Sequence, residues 1–256
     1  MGLLSPAEPT ADPSGPSPGA YRCNLPRPMS PLIGRSGELA AIGACLDVNR
    51  LVTLTGAGGV GKTRLAVEAA AQHANRDAIR CWWVELATLS SPEAVASAVA
   101  SALGVRETAS EAAVTAIARF VGERPVLLVL DNCEHLVAPC ADLTGHLLAL
   151  CANLTVLGTS REPLEVPGEV SWRVPSLPAP ASRAPMTVDI LGGYAAVQLF
   201  ADRAARARPG FALNAGNGVY VAEICARLDG IPLASSRRPC SCIPASGPQS
   251  ERTCVC

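Results

Sequence analysis

The sequence predicts an α/β protein built on a parallel sheet with helices on both sides. Three observations predict it. LVTLT (51–55), VLLVLD (126–131) and LTVLGTS (154–160) are short apolar runs without polar alternation, as expected of strands covered on both faces. Helix-length segments with an apolar stripe separate them, the pattern of repeated crossover connections. A glycine-rich stretch, GAGGVGKT (56–63), joins the first run to a helical segment.

Residues 1–31 carry Pro6, Pro9, Pro13, Pro16, Pro18, Pro26, Pro28 and Pro31 among Ser, Gly and Ala, and read as a disordered lead. From Leu32 the texture changes. Ser36 or Gly37 can cap a helix reaching about Val48, with Leu39, Ile42, Gly43 and Leu46 on one face. LVTLT is the first strand, and a helix begins near Lys62 after the glycine turn. CWWVEL (81–86) is the second strand. Helices are expected at about 92–103 and 110–122, then the strand 126–131, a helix at about 136–151 and the strand 154–160. VSWRV (170–174) is a shorter last strand, which closes a core over 32–175. SLPAPASRAP opens a linker over 176–192. Beyond it, 193–234 read as part of a small helical domain. One helix runs from about Gly193 to Arg208 and another from about Asn217 to Leu228, with Val221, Ile224, Cys225 and Leu228 at i, i+3, i+4, i+7. Gly230 suits a helix end and Pro232 the first turn of a further helix, which the residues after Ala234 do not continue.

Hydrophobic residues make up 49% of the 256-residue chain and charged residues 17%, enough apolar material for a sizeable core. The net charge of −1 leaves no electrostatic footprint for nucleic acid or an acidic membrane, so this chain is not expected to bind DNA directly. No apolar run approaches a membrane span, and residues 1–20 lack a signal-peptide pattern, so the expectation is a cytoplasmic chain. Seven cysteines (Cys23, Cys45, Cys81, Cys133, Cys140, Cys151 and Cys225) are scattered, mostly in apolar stretches, and read as reduced thiols. His73, His135 and His146 show no metal-ligand spacing.

GAGGVGKT fits G-x-x-x-x-G-K-[ST] directly after a strand and at a helix start. Gly56, Gly58, Gly59 and Gly61, with Val60 between them, let backbone N–H groups turn toward a phosphate chain. Lys62 would reach the β- and γ-phosphates, Thr63 would hold Mg²⁺, and Arg64 follows in the first helical turn. Asp131 ends a buried strand where such a site needs a second Mg²⁺ contact, although Asp at a strand end also serves as a cap or turn former. Glu134, in DNCEHL (131–136), has two roles open to it: polarising an attacking water, or sitting in a first helical turn where the dipole favours it. Arg161, in GTSR (158–161), would lie at the same carboxyl edge and sense a γ-phosphate. The alternative is a surface arginine paired with Glu162 or Glu165.

Taken together, PLIGR (31–35), GAGGVGKT, VLLVLDNCEHL, GTSREPL and LDGIPLA resemble the nucleotide-binding part of bacterial STAND-class, NB-ARC-like P-loop ATPases. The similarity is nearest to actinobacterial regulators of the LuxR and antibiotic-regulatory types, over about 24–234. The resemblance implies that Ile33, Gly34 and Arg35 lie against adenine and ribose, and that Pro232 packs on adenine from the helical lid. It implies ATP/ADP and Mg²⁺ as ligands, slow hydrolysis, and a switch that opens and self-associates with ATP. Asn132 stands where many NB-ARC proteins carry a second acid. A non-hydrolysing ADP-binding interaction module and an inactive truncated fragment are the rival readings, and a small-molecule kinase would need an acceptor site that the sequence does not display.

Residues 235–256 have no apolar period and hold Cys240, Cys242, Cys254 and Cys256. Members of the resembled family continue GIPLA with an apolar helix. One inserted base before a permissible codon string for Ser235 onward restores such a helix, Ile-Glu-Leu-Ala-Ala-Ser-Met-Leu-Val-His. The tail is therefore expected to be frameshifted and the lid truncated. Zinc binding by the two Cys-x-Cys pairs is the rival, with spacers shorter than zinc sites commonly use.

Overall fold

The computed structural model describes residues 23–77, 79–106, 112–181 and 187–237. Five parallel strands form one sheet: β1 (Leu51–Thr55), β2 (Arg80–Glu85), β3 (Val126–Asp131), β4 (Leu154–Ser160) and β5 (Val170–Arg173). Their spatial order is β2-β3-β4-β1-β5. The chain leaves β1 toward the far edge and returns through β3 to β4, its neighbour. Loops after β1 and β4 therefore diverge at the carboxyl edge and leave a crevice between them, where sheets of this kind bind ligands.

The helices are α1 (Ser36–Val48), α2 (Lys62–Asp77), α3 (Ala94–Ala102), α4 (Ala113–Val121), α5 (Val137–Leu150), α6 (Val188–Gly192), α7 (Ala195–Ala207), α8 (Gly218–Arg227) and α9 (Pro232–Arg237). The strands' alternation divides the core. Leu128, Leu130, Leu154 and Val156 pack with α3, α4 and α5 on one face. Leu127, Val129, Leu157, Val52 and Leu54 pack with α1 and α2 on the other. Asp131 and Thr159 share the parity of this second set, which turns both toward α2. Arg50, just before β1, donates to the carbonyls of Leu148 (2.8 Å) and Cys151 and so satisfies acceptors at the end of α5.

A third cluster, centred on Phe200, Val221, Cys225 and Leu191, belongs to α6, α7 and α8. Phe200 meets Phe211 edge-on at 6.5 Å. Burial pushes the Cys225 thiol up to about 12, so it behaves there as a small apolar side chain. Two close approaches join this helical layer to the sheet. Gly34 (φ +67°) lies where a Cβ would come within 2.2 Å of the Ala195 Cβ. Gly230 (φ +64°) lies where a Cβ would come within 2.0 Å of the Leu177 carbonyl oxygen. Only glycine satisfies both the left-handed backbone and the contact.

Several expectations change. Residues 23–31 of the expected disordered lead form an extended strap; residues 1–22 lie outside those described. Cys23 pairs in parallel with Cys81 on the edge strand β2, and the Asn24 side chain exchanges two hydrogen bonds with the Trp83 backbone (3.0 and 2.5 Å). The edge strand's free backbone groups supply the order that proline-rich composition withholds. The expected linker 176–192 holds the short helix α6, whose Thr187 hydroxyl accepts from the Ile190 N–H at 3.4 Å. A helix does follow Pro232: α9 runs to Arg237, started by proline at its first position. The remaining tail, 238–256, lies outside the described residues, and with it the frameshift and zinc readings.

Candidate nucleotide-binding site

The loop after β1 is bent by three left-handed glycines: Gly56 (φ +144°), Gly59 (φ +80°) and Gly61 (φ +101°). Buried Val60 anchors its tip, and the Leu65 N–H reaches the Gly61 carbonyl at 3.0 Å to start α2. Lys62 curls back over the loop. Its Nζ donates to the carbonyls of Gly56 (2.8 Å) and Ala57 (3.2 Å). Burial pulls the Lys62 ammonium below the usual lysine range, and Arg161 adds to this, while Glu134 and Asp131 oppose it. The result is a cation in a concave, poorly solvated loop, suited to an anion.

The floor of the crevice is a hydrogen-bonded chain. The Thr63 hydroxyl donates to Asp131 Oδ1 at 2.9 Å, and the Thr159 hydroxyl donates to the same oxygen at 2.6 Å. Thr159 in turn accepts from the Asn132 N–H at 2.9 Å. Asn132 adopts φ 67°, ψ 50°, which ends the strand sharply and aims that N–H at β4. Burial pushes the Asp131 carboxyl up, the two threonine hydroxyls pull it down, and Glu85 and Glu134 push it up further. Two hydroxyls and a buried carboxylate form the hard oxygen set that Mg²⁺ favours.

Glu134 accepts from Arg161 Nε at 3.3 Å on Oε1, and its Oε2 is buried without a hydrogen-bond partner. Arg161 thus pairs with Glu134, not with Glu162 or Glu165. Its guanidinium also passes over the loop, 3.5 Å from where a Cβ on Gly58 would stand. From the other side α9 closes on the same loop. The Leu233 N–H donates to the Gly59 carbonyl at 3.2 Å, and the Pro232 ring lies 3.9 Å from a Cβ placed on Gly61.

Gly58, Lys62, Thr63, Glu134, Thr159 and Arg161 line a cavity of about 760 Å³, within the range of small-molecule sites, whereas buried Asp131 lies behind Thr63 and Thr159 and is not itself in the wall. Ile33, Arg64 and Pro232 are in its wall. Gly34 is not, and its role is the contact with Ala195. Arg35 reaches the wall, but its buried guanidinium donates to the carbonyls of Val60 (3.1 Å) and Pro175 (2.8 Å) and pairs with Glu38 (2.7 Å). It fastens the loop to the segment after β5. Sequence reading missed Thr159, Ser30, Leu233 and Arg203. Thr159 and Leu233 carried a signal, since they sit in the GTSR and LDGIPLA stretches chosen for Arg161 and Pro232. Among the described residues no cluster of His, Cys, Asp and Glu could hold a metal by itself, and no helix is long and apolar enough to cross a membrane.

A parallel sheet of this order flanked by helices, with a glycine loop carrying Lys62 and Thr63 and a strand-end Asp131 reached from the helix after that loop, is consistent with the P-loop NTPase fold of the AAA type. Residues 47–165 match the protein family described as "AAA domain". The chain is 47% identical over 191 residues to a Mycobacterium tuberculosis protein described as "Putative HTH-type transcriptional regulator". That match covers 75% of this chain and 20% of the relative. It is 41% identical over 208 residues to an uncharacterized M. tuberculosis protein, covering 81% of this chain and 50% of that one. The chain therefore spans about a fifth of the first relative and half of the second. Two solved structures share the fold. One is a Signal Transduction ATPase with Numerous Domains (STAND) protein with a tetratricopeptide repeat sensor from Pyrococcus horikoshii (TM-score 0.50, 15% identity, 84% of this chain and 30% of that one). The other is the Aeropyrum pernix ORC2 protein in ADPNP–ADP complexes (TM-score 0.53, 13% identity, 80% and 60%).

Proposed function

We propose that this chain is the ATP/ADP-binding core of a bacterial transcriptional regulator of the STAND class, a nucleotide-dependent switch in the cytoplasm with slow Mg²⁺-dependent hydrolysis. The observation that carries the reading is the Thr63–Asp131–Thr159 chain beneath a glycine loop that the helical layer touches through α9. The loop and metal groups alone would describe any NTPase. The Leu233–Gly59 bond adds a route by which loop contents bear on the position of the helices.

The roles follow from placement. Backbone N–H groups of 58–63 and the positive end of α2 favour a polyphosphate. Lys62 exchanges two neutral carbonyl acceptors for phosphate oxygens, a gain for a partly desolvated cation. Thr63 and Asp131 would hold Mg²⁺, which when bound neutralises the β- and γ-oxygens. Thr159 keeps Asp131 in place. Glu134 Oε2 is free to accept a proton or orient a water, while Oε1 is tied to Arg161. Arg161, over Gly58, is placed to exchange Glu134 for a γ-phosphate. That exchange would change Glu134 and Arg161 together, which suits a switch better than a fast enzyme. Self-association with ATP belongs to the same reading.

The Arg161–Glu134 pair also favours a second reading, an ADP-binding module that does not hydrolyse, because it ties one oxygen of the candidate base to the candidate sensor. Two measurements separate them. Nucleotide released by denaturing natively purified protein is identified by chromatography, and Mg²⁺-dependent phosphate release is measured with Lys62→Ala as control. ADP in the protein together with slow, Lys62-dependent turnover is expected. Bound nucleotide without turnover supports the module, and no binding of ATP or ADP by folded protein refutes both.

A further inference from the structure

The cavity has a second end that the phosphate chemistry does not use. Past Lys62 and Thr63, along α2, lie Arg64 and Val67. Facing them are Leu199 and Arg203 of α7, with the strap residue Ser30 between. Arg64 Nη2 donates to the Ser30 carbonyl, and Arg203 Nη2 donates to the Ser30 hydroxyl at 3.0 Å. Core, strap and helical layer therefore meet at one residue. Two guanidiniums converge there, and each keeps an unused donor. Arg203 Nε is buried with no hydrogen-bond partner, and Arg64 Nη1 has only Glu68 Oε2, at 4.0 Å. Asp202 lies 3.8 Å from Arg203 Nη1, leaving Nε untouched.

Buried guanidinium N–H groups are costly to leave unpaired, and arginine has donors only. Their partner must bring acceptors to the part of the cavity wall shared by α2, the strap and α7. If the loop holds the phosphates of a nucleotide, as the proposed function has it, the acceptors left for the rest of the cavity are ribose oxygens or purine ring nitrogens.

We infer that Arg203 is a nucleoside-contacting residue carried by the helical layer, and that Arg64, Ser30 and Arg203 form the nucleoside-reading end of the site. Binding the nucleoside then ties α7 to α2 and the strap, independently of the contact between α9 and the loop. The inference rests on the nucleotide reading but is tested separately from it.

The test is isothermal titration of the full chain with ADP, 2′-deoxy-ADP and 7-deaza-ADP. Wild-type protein should bind ADP and bind at least one analogue several-fold more weakly; a 2′-deoxy deficit places the acceptor on the sugar and a 7-deaza deficit on the base. Arg203→Ala should weaken ADP by about tenfold or more, the worth of a charge-assisted hydrogen bond, and should abolish the analogue discrimination. Arg203→Lys keeps the stem and charge but not the fork, and should lose the discrimination even if the alanine variant folds poorly. A purely structural arginine would lower the ligand-free melting temperature and leave the ADP-to-analogue ratio unchanged. Equal binding of all three nucleotides by wild type, or an unchanged ratio in both variants, overturns the inference. Failure of wild type to bind ADP at all refutes the nucleotide reading instead.

Discussion

Thr159→Val tests the floor of the site directly. Valine keeps the shape of threonine and removes one oxygen. That oxygen donates to Asp131 Oδ1 at 2.6 Å and accepts from the Asn132 N–H at 2.9 Å, and Thr159 is 1% exposed, so water cannot replace it. Losing a hydrogen bond to a carboxylate costs about 1.5–3 kcal/mol, and stranding a buried donor about 1–3 kcal/mol. The two share one atom and Asp131 keeps its bond from Thr63, so the sum is not additive; a net loss of about 2–4 kcal/mol is expected. With a urea slope of about 2 kcal/mol/M, the unfolding midpoint should fall by about 1–2 M, read by circular dichroism. Removing the Thr159 bond also removes one influence holding the Asp131 carboxyl down, so Mg²⁺-dependent nucleotide binding should weaken and its pH profile move upward. Thr159→Ser, which restores the oxygen, should recover most of both effects. A Thr159→Val protein within about 0.5 kcal/mol of wild type, with unchanged Mg²⁺ dependence, would refute the reasoning.

The remaining predictions concern charge and close contacts. Burial raises the Asp131 carboxyl above its ordinary 3.8, so in ligand-free protein its favourable contribution is complete below that pH and is lost as pH rises through the folded value. Asp131→Asn should therefore raise the ligand-free melting temperature at neutral pH, with the gain shrinking toward pH 3.8, while lowering the stabilisation by Mg²⁺-nucleotide; a pH-independent gain would contradict this. Gly230→Ala meets the Leu177 carbonyl at 2.0 Å in a left-handed conformation and must break the 3.1 Å Leu177–Gly230 hydrogen bond. A loss of about 2–4 kcal/mol is expected, seen as faster proteolysis between α6 and α9 than within the sheet; uniform proteolysis would refute the reading of this contact as the join between the helical layer and the sheet. Gly59→Ala, with its Cβ 2.8 Å from that of Leu233, should dislodge α9 and speed nucleotide release more than it lowers stability, as a stopped-flow displacement would show.

Much of the fold was legible because its signals are local. The bounds of β1, β3 and β4 fall where the apolar runs end, since a strand covered on both faces needs an uninterrupted run and its neighbours break it. The glycine loop was legible because its left-handed turns admit little else. The strap was misread because its order comes from pairing with β2, far along the chain; composition reports what residues 23–31 can form alone and nothing of the edge they meet. Helix α9 was missed for a related reason. Six residues without an apolar stripe form no independent helix, yet the Leu233–Gly59 bond and contact with α7 give them a surface.

Strand positions, the phosphate loop and the strand-end carboxylate were thus determined by the sequence alone, through burial period and backbone restriction acting over a few residues. Which side chains complete the site was decided only by the tertiary structure. Thr159 meets Asp131 across 28 residues and Arg203 meets Ser30 across 173. Nothing local marks either pair. Strand order brings β4 beside β3, and the two glycine contacts seat α7 over the strap. The chemistry of these residues follows from where that packing leaves a buried hydroxyl or guanidinium in need of a partner.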